Sequence, residues 1–177
     1  NAVRRTPVLT TIRRYDSAMK LMQALESRRE RKQIISRCRE IIRRLSVDFG
    51  ERSIRLYDNL TGSRDYIRDT FRAQGSEPRF EEFTAHGVKV HNVIAEAPGA
   101  ELKERIILVG AHYDTIEGTP GADDNASAVA GLLELHRLLS PLRLRRTLRF
   151  VAFTLEEPPF FSTDLMGSMQ NARNSRE

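Results

Sequence analysis

RIILVGAHYDTIEGTPGADDNASAVAGLLELHRLLSPLRLRRTLRFVAFT, residues 105–154, decides the fold. It opens on Ile106-Ile107-Leu108-Val109, a continuous apolar run of the kind that forms a strand buried on both faces. It closes on TLRFVAFT, residues 147–154, a second buried strand cut off by Pro158-Pro159. Between them, the loop Gly118-Thr119-Pro120-Gly121 leads into helical spacing over residues 124–139. There Ala126, Val129, Ala130, Leu132, Leu133 and Leu135 recur at threes and fours and are expected to face inward, with Pro141 as the stop. Strand, helix, strand in this order predicts a three-layer α/β sheet with a right-handed crossover.

Upstream of this core the period is two. Residues 79–85 and 88–96 read as strands joined by a His86-Gly87 turn, and Pro98-Gly99 closes the second. Residues 63–74 read as a helix capped by Thr61 or Ser63, striped by Tyr66, Ile67 and Phe71, and ended by Gly75. Further upstream, Met19, Met22, Leu25, Ile34, Ile35, Cys38, Ile41, Ile42 and Leu45 mark a helical pattern from about Asp16. The charged run from Ser27 to Gln33 leaves two readings, two helices or one with an exposed middle. Residues 1–14 show no period and are expected to be loosely ordered. Downstream, a helix is expected to start near Ser168.

The chain has 177 residues, 40% hydrophobic and 30% charged, with 10 Gly and 7 Pro. That fits one domain, or one domain with an appended arm, and excludes collagen-like and low-complexity chains. No apolar run reaches the ~18 residues of a membrane span. A single cysteine, Cys38, excludes an internal disulfide framework and a cysteine-cage zinc site. The net charge of +5 hides an asymmetry: residues 1–45 carry 13 Lys+Arg against 4 Asp+Glu, and the remainder is mildly acidic. Residues 1–47 therefore read as a basic helical arm and residues 48–177 as the domain that carries the chemistry. The arm could track an anionic surface or nucleic acid, but aromatic interleaving is missing and a solvated helix packed by its Met/Ile stripe is the expectation, with no nucleic-acid partner. A transit peptide is disfavoured by Glu26, Glu30 and Glu40. The start at Asn1 rather than Met leaves room for an upstream segment, a removed signal peptide included.

Three segments place acids and an imidazole at the ends of these elements. His112 and Asp114 lie two apart, so an extended backbone sends both to one side. Asp123-Asp124-Asn125 precedes the central helix, and Glu156-Glu157 follows the second buried strand. Singly, each has an ordinary reading: a loop or core histidine, a helix cap, a solvated loop. Together, at the C-terminal edge of one sheet where open α/β folds place ligands, they are costly without a cation to neutralise them. Histidine plus carboxylate suits zinc, with manganese or cobalt as substitutes.

GAHYDT, the Gly-rich loop, GADDNASAVAGLLELHRLL and TLRFVAFTLEEPPFFSTDLMGS, in this order and spacing, resemble the co-catalytic zinc aminopeptidases of metallopeptidase family twenty-eight. The resemblance covers roughly residues 48–170. It implies a three-layer α/β/α zinc-exopeptidase-like fold with a mixed sheet, here incomplete and preceded by the N-terminal helical segment. It implies that His112 binds the first of two zinc ions, that Asp124 bridges both and that Glu157 binds the second. Glu156 becomes the general base and Asp114 the carboxylate that orients His112. The substrate it implies is a peptide with a free N-terminus.

One departure stands out. The family pattern requires a further aspartate and a further histidine downstream of the Glu-Glu pair. Only 20 residues follow Glu157, Asp164 comes too soon, and no histidine follows His136. The expectation is therefore the N-terminal part of a peptidase catalytic domain, weak in zinc binding and in hydrolysis as it stands. A non-catalytic peptidase-like domain is the alternative. Relatives of this kind are often exported, and periplasmic or secreted localisation is the expectation.

Overall fold

The computed structural model describes residues 19–23, 25 and 27–175; the expectation for residues 1–14 lies outside them. Helix α1, Arg28–Arg43, starts at Ser27, whose extended backbone breaks with the helical residues before it and whose hydroxyl accepts from the Glu30 N–H at 3.0 Å. The charged stretch thus holds a helix start rather than an exposed helix middle. Ile41 and, in the wide turn of residues 44–49, Leu45 reach the main core.

Helix α2, Tyr57–Ala73, begins six residues before the sequence expectation. The residue that starts this region is Ser53, whose hydroxyl accepts from the Arg55 and Leu56 N–H groups and opens a short 3-10 turn, Ile54–Leu56. Neither Thr61 nor Ser63 is a cap. Thr61 donates back to the Tyr57 carbonyl inside the helix, and Ser63 is buried. Thr61-Gly62-Ser63 imitates a helix start, but Gly62 is there for packing: a Cβ on it would stand 2.7 Å from the Phe49 ring. Gly75 (φ +90°) ends the region as expected, with the Gly75 and Ser76 N–H groups capping the carbonyls of Arg72 and Phe71.

The sheet is mixed and four-stranded: β1, Arg79–Ala85; β2, Val88–Ala97; β3, Leu102–His112; β4, Arg146–Phe153, in spatial order β1-β2-β4-β3. β1 and β2 form the expected hairpin through His86 and Gly87, both at positive φ, and β2 is antiparallel to β4. β3 and β4 are parallel, joined by helix α3, Ala128–Leu139. Val93, Ala95, Leu148, Phe150, Ala152 and Ala111 pack against Leu60, Ile67, Phe71, Val129 and Leu133 on the side of α1, α2 and α3. The opposite face is covered by helix α4, Gly167–Asn174, whose Asn171 reaches the buried Glu81 at 3.0 Å, while Asn92 donates to the Gly167 carbonyl at 2.8 Å. Two layers of helix therefore flank one sheet. Among the described residues, no helix is long and apolar enough to cross a membrane.

Two readings of the core segment are corrected. β3 is an edge strand, not one buried on both faces: Ile106, Ile107 and Leu108 are all more than two-fifths exposed. An apolar run reports what a strand can tolerate on its faces, not whether a neighbour is present. Leu135 is also exposed, while Glu134 and His136 are buried. Glu134 turns inward because Arg37 of α1 holds it at 2.8 Å and Arg137 at 2.7 Å. His136 stands edge-on between Phe71 and Phe150 with both ring nitrogens engaged, Nδ1 with Gln74 at 2.5 Å and Nε2 with Ser76 at 2.6 Å. Burial lowers its pKa to about 4, so it is a neutral core group.

Candidate metal centre

Parallel pairing puts the C-terminal ends of β3 and β4 side by side, with His112 opposite Phe153. What each strand carries just past its end therefore meets at one place. His112 ends β3, and Asp114 follows with its Oδ1 3.5 Å from His112 Nδ1. On the other side of the ring, His112 Nε2 lies 3.0 Å from Asp124 Oδ1 and 3.7 Å from Glu156 Oε2. His112, Glu156 and Glu157 each offer a ligand atom within 4.8 Å of the others. Five sequence-selected residues thus share one cluster.

Two consecutive carboxylates cannot face one side of a regular strand. β4 stops at Phe153, and the buried Leu155 takes a left-handed backbone (φ +55°) that turns both glutamates toward the histidine. The break comes ahead of the prolines. Asp114 joins the halves: one carboxylate oxygen faces His112 and the other accepts from the Glu157 N–H at 3.0 Å. On the facing loop, Asp124 and Asn125 depart from helical geometry before α3, and the bond between them is cis. Asp123, the other half of that acidic pair, is not among the contacts of the cluster.

The electrostatics is that of a cation site. Burial disfavours the His112 imidazolium, but Asp114, Glu156 and Asp124 outweigh it and carry the pKa up to about 9. Burial pushes the Glu156 and Glu157 carboxyls upward, with the surrounding acids adding to the effect and His112 opposing it. Among the described residues, His112 Nδ1 and Asp114 Oδ1 are buried without a well-formed hydrogen bond. A divalent cation at the Nε2 side would neutralise the carboxylate excess and fix the proton on Nδ1, where Asp114 accepts it. The donor set fits zinc: one imidazole and oxygen ligands.

Residues 92–177 match the model of peptidase family M28. This part of the chain is thus similar to peptidase family M28. The chain is 39% identical over 139 residues to the uncharacterized protein YfbL of Escherichia coli, covering 74% of this chain and 42% of that protein. It is 36% identical over 66 residues to leucine aminopeptidase 2 of Trichophyton rubrum, 37% of this chain and 13% of that one. The chain therefore spans less than half the length of these relatives. A glutaminyl cyclase from Macrostomum lignano superposes with a TM-score of 0.64 at 28% identity, over 78% of this chain and 44% of that chain. A zinc aminopeptidase from Bacillus subtilis gives 0.60 at 14% identity, over 69% and 62%, and shows the shared fold alone. Zinc, the metal named for the Bacillus subtilis aminopeptidase, suits this donor set.

One residue of the site's surroundings escapes a reading of motifs. Arg52 lies outside the M28 match, in a segment without period, and is completely buried beside the loop that precedes Asp124. A lone arginine in a basic chain gives no signal.

Proposed function

We propose that the protein is a zinc-dependent aminopeptidase that removes N-terminal residues from peptides, with His112, Asp124 and Glu157 as metal ligands and Glu156 as general base. The observation that carries this is the convergence of one imidazole and three carboxylates past the ends of β3 and β4. The M28 match and the likeness to a leucine aminopeptidase support the reaction class. The resemblance of the motifs supports a pair of zinc ions, which Asp124, the most open to solvent of the four, would help to hold. When bound, zinc supplies Lewis acidity, polarising a carbonyl and acidifying water.

The chain's own residues do the rest. Asp114 faces the His112 ring on its Nδ1 side at 3.5 Å, which leaves Nε2, on the side of Asp124 and Glu156, to serve as the ligand atom. Glu156 lies 3.7 Å from that nitrogen, with a carboxyl raised by burial, and in this reading would take a proton from the attacking water and hand it to the departing amine. The resemblance of the motifs supports a substrate with a free α-amine, the group that distinguishes a chain end from an internal peptide bond.

The likeness to a glutaminyl cyclase favours a second reading, ring closure of an N-terminal glutamine at the same site. One substrate set separates them: a peptide with N-terminal leucine, its N-acetylated twin, and a peptide with N-terminal glutamine, each with zinc present. The aminopeptidase reading predicts free leucine from the unblocked peptide alone, lost in Glu156→Gln while zinc binding remains. Ammonia from the glutamine peptide with intact peptide bonds supports the cyclase. Undiminished turnover by Glu156→Gln removes the base assignment, and inert wild type that still binds zinc supports a non-catalytic peptidase-like domain.

A further inference from the structure

Arg52 carries the largest completely buried side chain among the described residues, and its guanidinium hydrogen-bonds to backbone carbonyls from three separate segments. Nε donates to the Tyr113 carbonyl at 2.7 Å, between His112 and Asp114 in the chain. Nη1 donates to Pro120 at 2.7 Å and Nη2 to Gly121 at 3.0 Å, in the loop three to four residues ahead of Asp124. Nη1 also reaches Leu45 at 2.9 Å and Gly50 at 2.7 Å, in the turn that follows α1. The backbone adds a clamp: Arg52 N–H donates to Thr115 Oγ1 at 3.0 Å, and Thr115 N–H donates to the Arg52 carbonyl at 3.2 Å.

A buried cation is expensive unless something repays its desolvation. Here the repayment is in carbonyl dipoles and in Asp114, whose charge favours the guanidinium. A planar fork of fixed donors spans separate carbonyls as a single ammonium cannot. The loop side is equally tight. Gly121 sits at φ +53°, and a Cβ there would stand 2.8 Å from Arg52 Nη2 and 2.5 Å from the Asp124 carbonyl.

We propose that Arg52 is a positioning residue for the metal centre: by holding Tyr113 and Pro120-Gly121 together, it sets His112 against Asp124 and makes the site depend on docking of the segment around residues 45–52. The proposal rests on the metal reading of the cluster. It explains why a segment outside the M28 match is locked to the strand end that bears the histidine.

The test is titration of the purified chain with Co(II), read by visible absorption, beside thermal melts of each variant. Wild type is compared with Arg52→Lys and with Leu60→Ala, a core variant within α2 whose apolar side chain takes no part in these hydrogen bonds. Arg52→Lys is expected to melt cooperatively and to bind Co(II) roughly 10- to 100-fold more weakly, the usual effect of losing an outer-shell support. Leu60→Ala is expected to lose thermal stability and keep its Co(II) affinity within about two-fold, which separates positioning from general destabilisation. A folded Arg52→Lys with wild-type affinity overturns the proposal while leaving the metal reading intact. Equal losses in both variants overturn it too. Failure of wild type to bind Co(II) removes the metal reading itself. If Arg52→Lys does not fold, Gly121→Ala tests the same link from the loop: weaker binding in a folded protein supports it, and unchanged binding overturns it.

Discussion

Asp114 has two partners, His112 on one oxygen and the Glu157 N–H on the other, so its loss would loosen both strand ends together. Asp114→Ala is expected to weaken zinc binding roughly 10- to 100-fold with the fold retained, measured against a competing chelator; an unchanged affinity removes its supporting role. The pH dependence follows from His112. Its imidazole holds a proton up to about pH 9, and a metal must displace that proton to use the nitrogen. Affinity is therefore expected to rise by about ten-fold per pH unit below that value and to level above it. In Asp114→Ala the levelling moves to lower pH, because the carboxylate that most favours the imidazolium is gone. Residue types at the site were legible in the sequence: His112 with Asp114 and the two acidic pairs stand out by type and position, while the choice of Asp124 over Asp123 came from the family resemblance. Arg52 was not, because its meaning lies in the carbonyls around it, and a backbone carbonyl leaves no trace in a sequence.

At the scale of elements, His136 ties α3 to the residues that end α2. Its neutral ring donates from Nδ1 to Gln74 and accepts at Nε2 from Ser76, and burial disfavours the charge a second proton would bring. The folded pKa of about 4 lies below the ordinary histidine value. The stabilisation is fully present above pH ~6.5 and is lost as pH falls toward about 4, where the unfolded chain binds a proton that the folded chain refuses. The gap corresponds to about 3 kcal/mol. Urea unfolding between these pH values is expected to show this loss in wild type and a flatter profile in His136→Gln; parallel profiles would contradict the assignment. Most elements were legible from period and punctuation, the hairpin at His86-Gly87 above all. The start of α2 was not, since Thr61-Gly62-Ser63 has the chemistry of a cap while its glycine serves the approach of Phe49. Nor was the inward turn of Glu134, which depends on Arg37 nearly a hundred residues away.

At the scale of the molecule, the mixed sheet places two parallel strand ends together and leaves β3 at the edge, with Ile106, Ile107 and Leu108 exposed. Such an edge offers unpaired backbone and apolar side chains to another chain. Light scattering is expected to show concentration-dependent self-association that Ile107→Lys reduces; a wild type monodisperse at every concentration would contradict this. The parallel pairing could be read from strand, helix, strand, but the position of β3 in the sheet could not, because an apolar run is silent about its neighbours. The central claim is that the ends of β3 and β4, with the Asp124 loop, form one metal centre. Anomalous scattering from zinc-soaked crystals tests it most directly. The account predicts a zinc peak bonded to His112 Nε2 and within coordination distance of Asp124 or Glu157, whereas a protein that takes up no zinc there, or holds it away from His112, would contradict it.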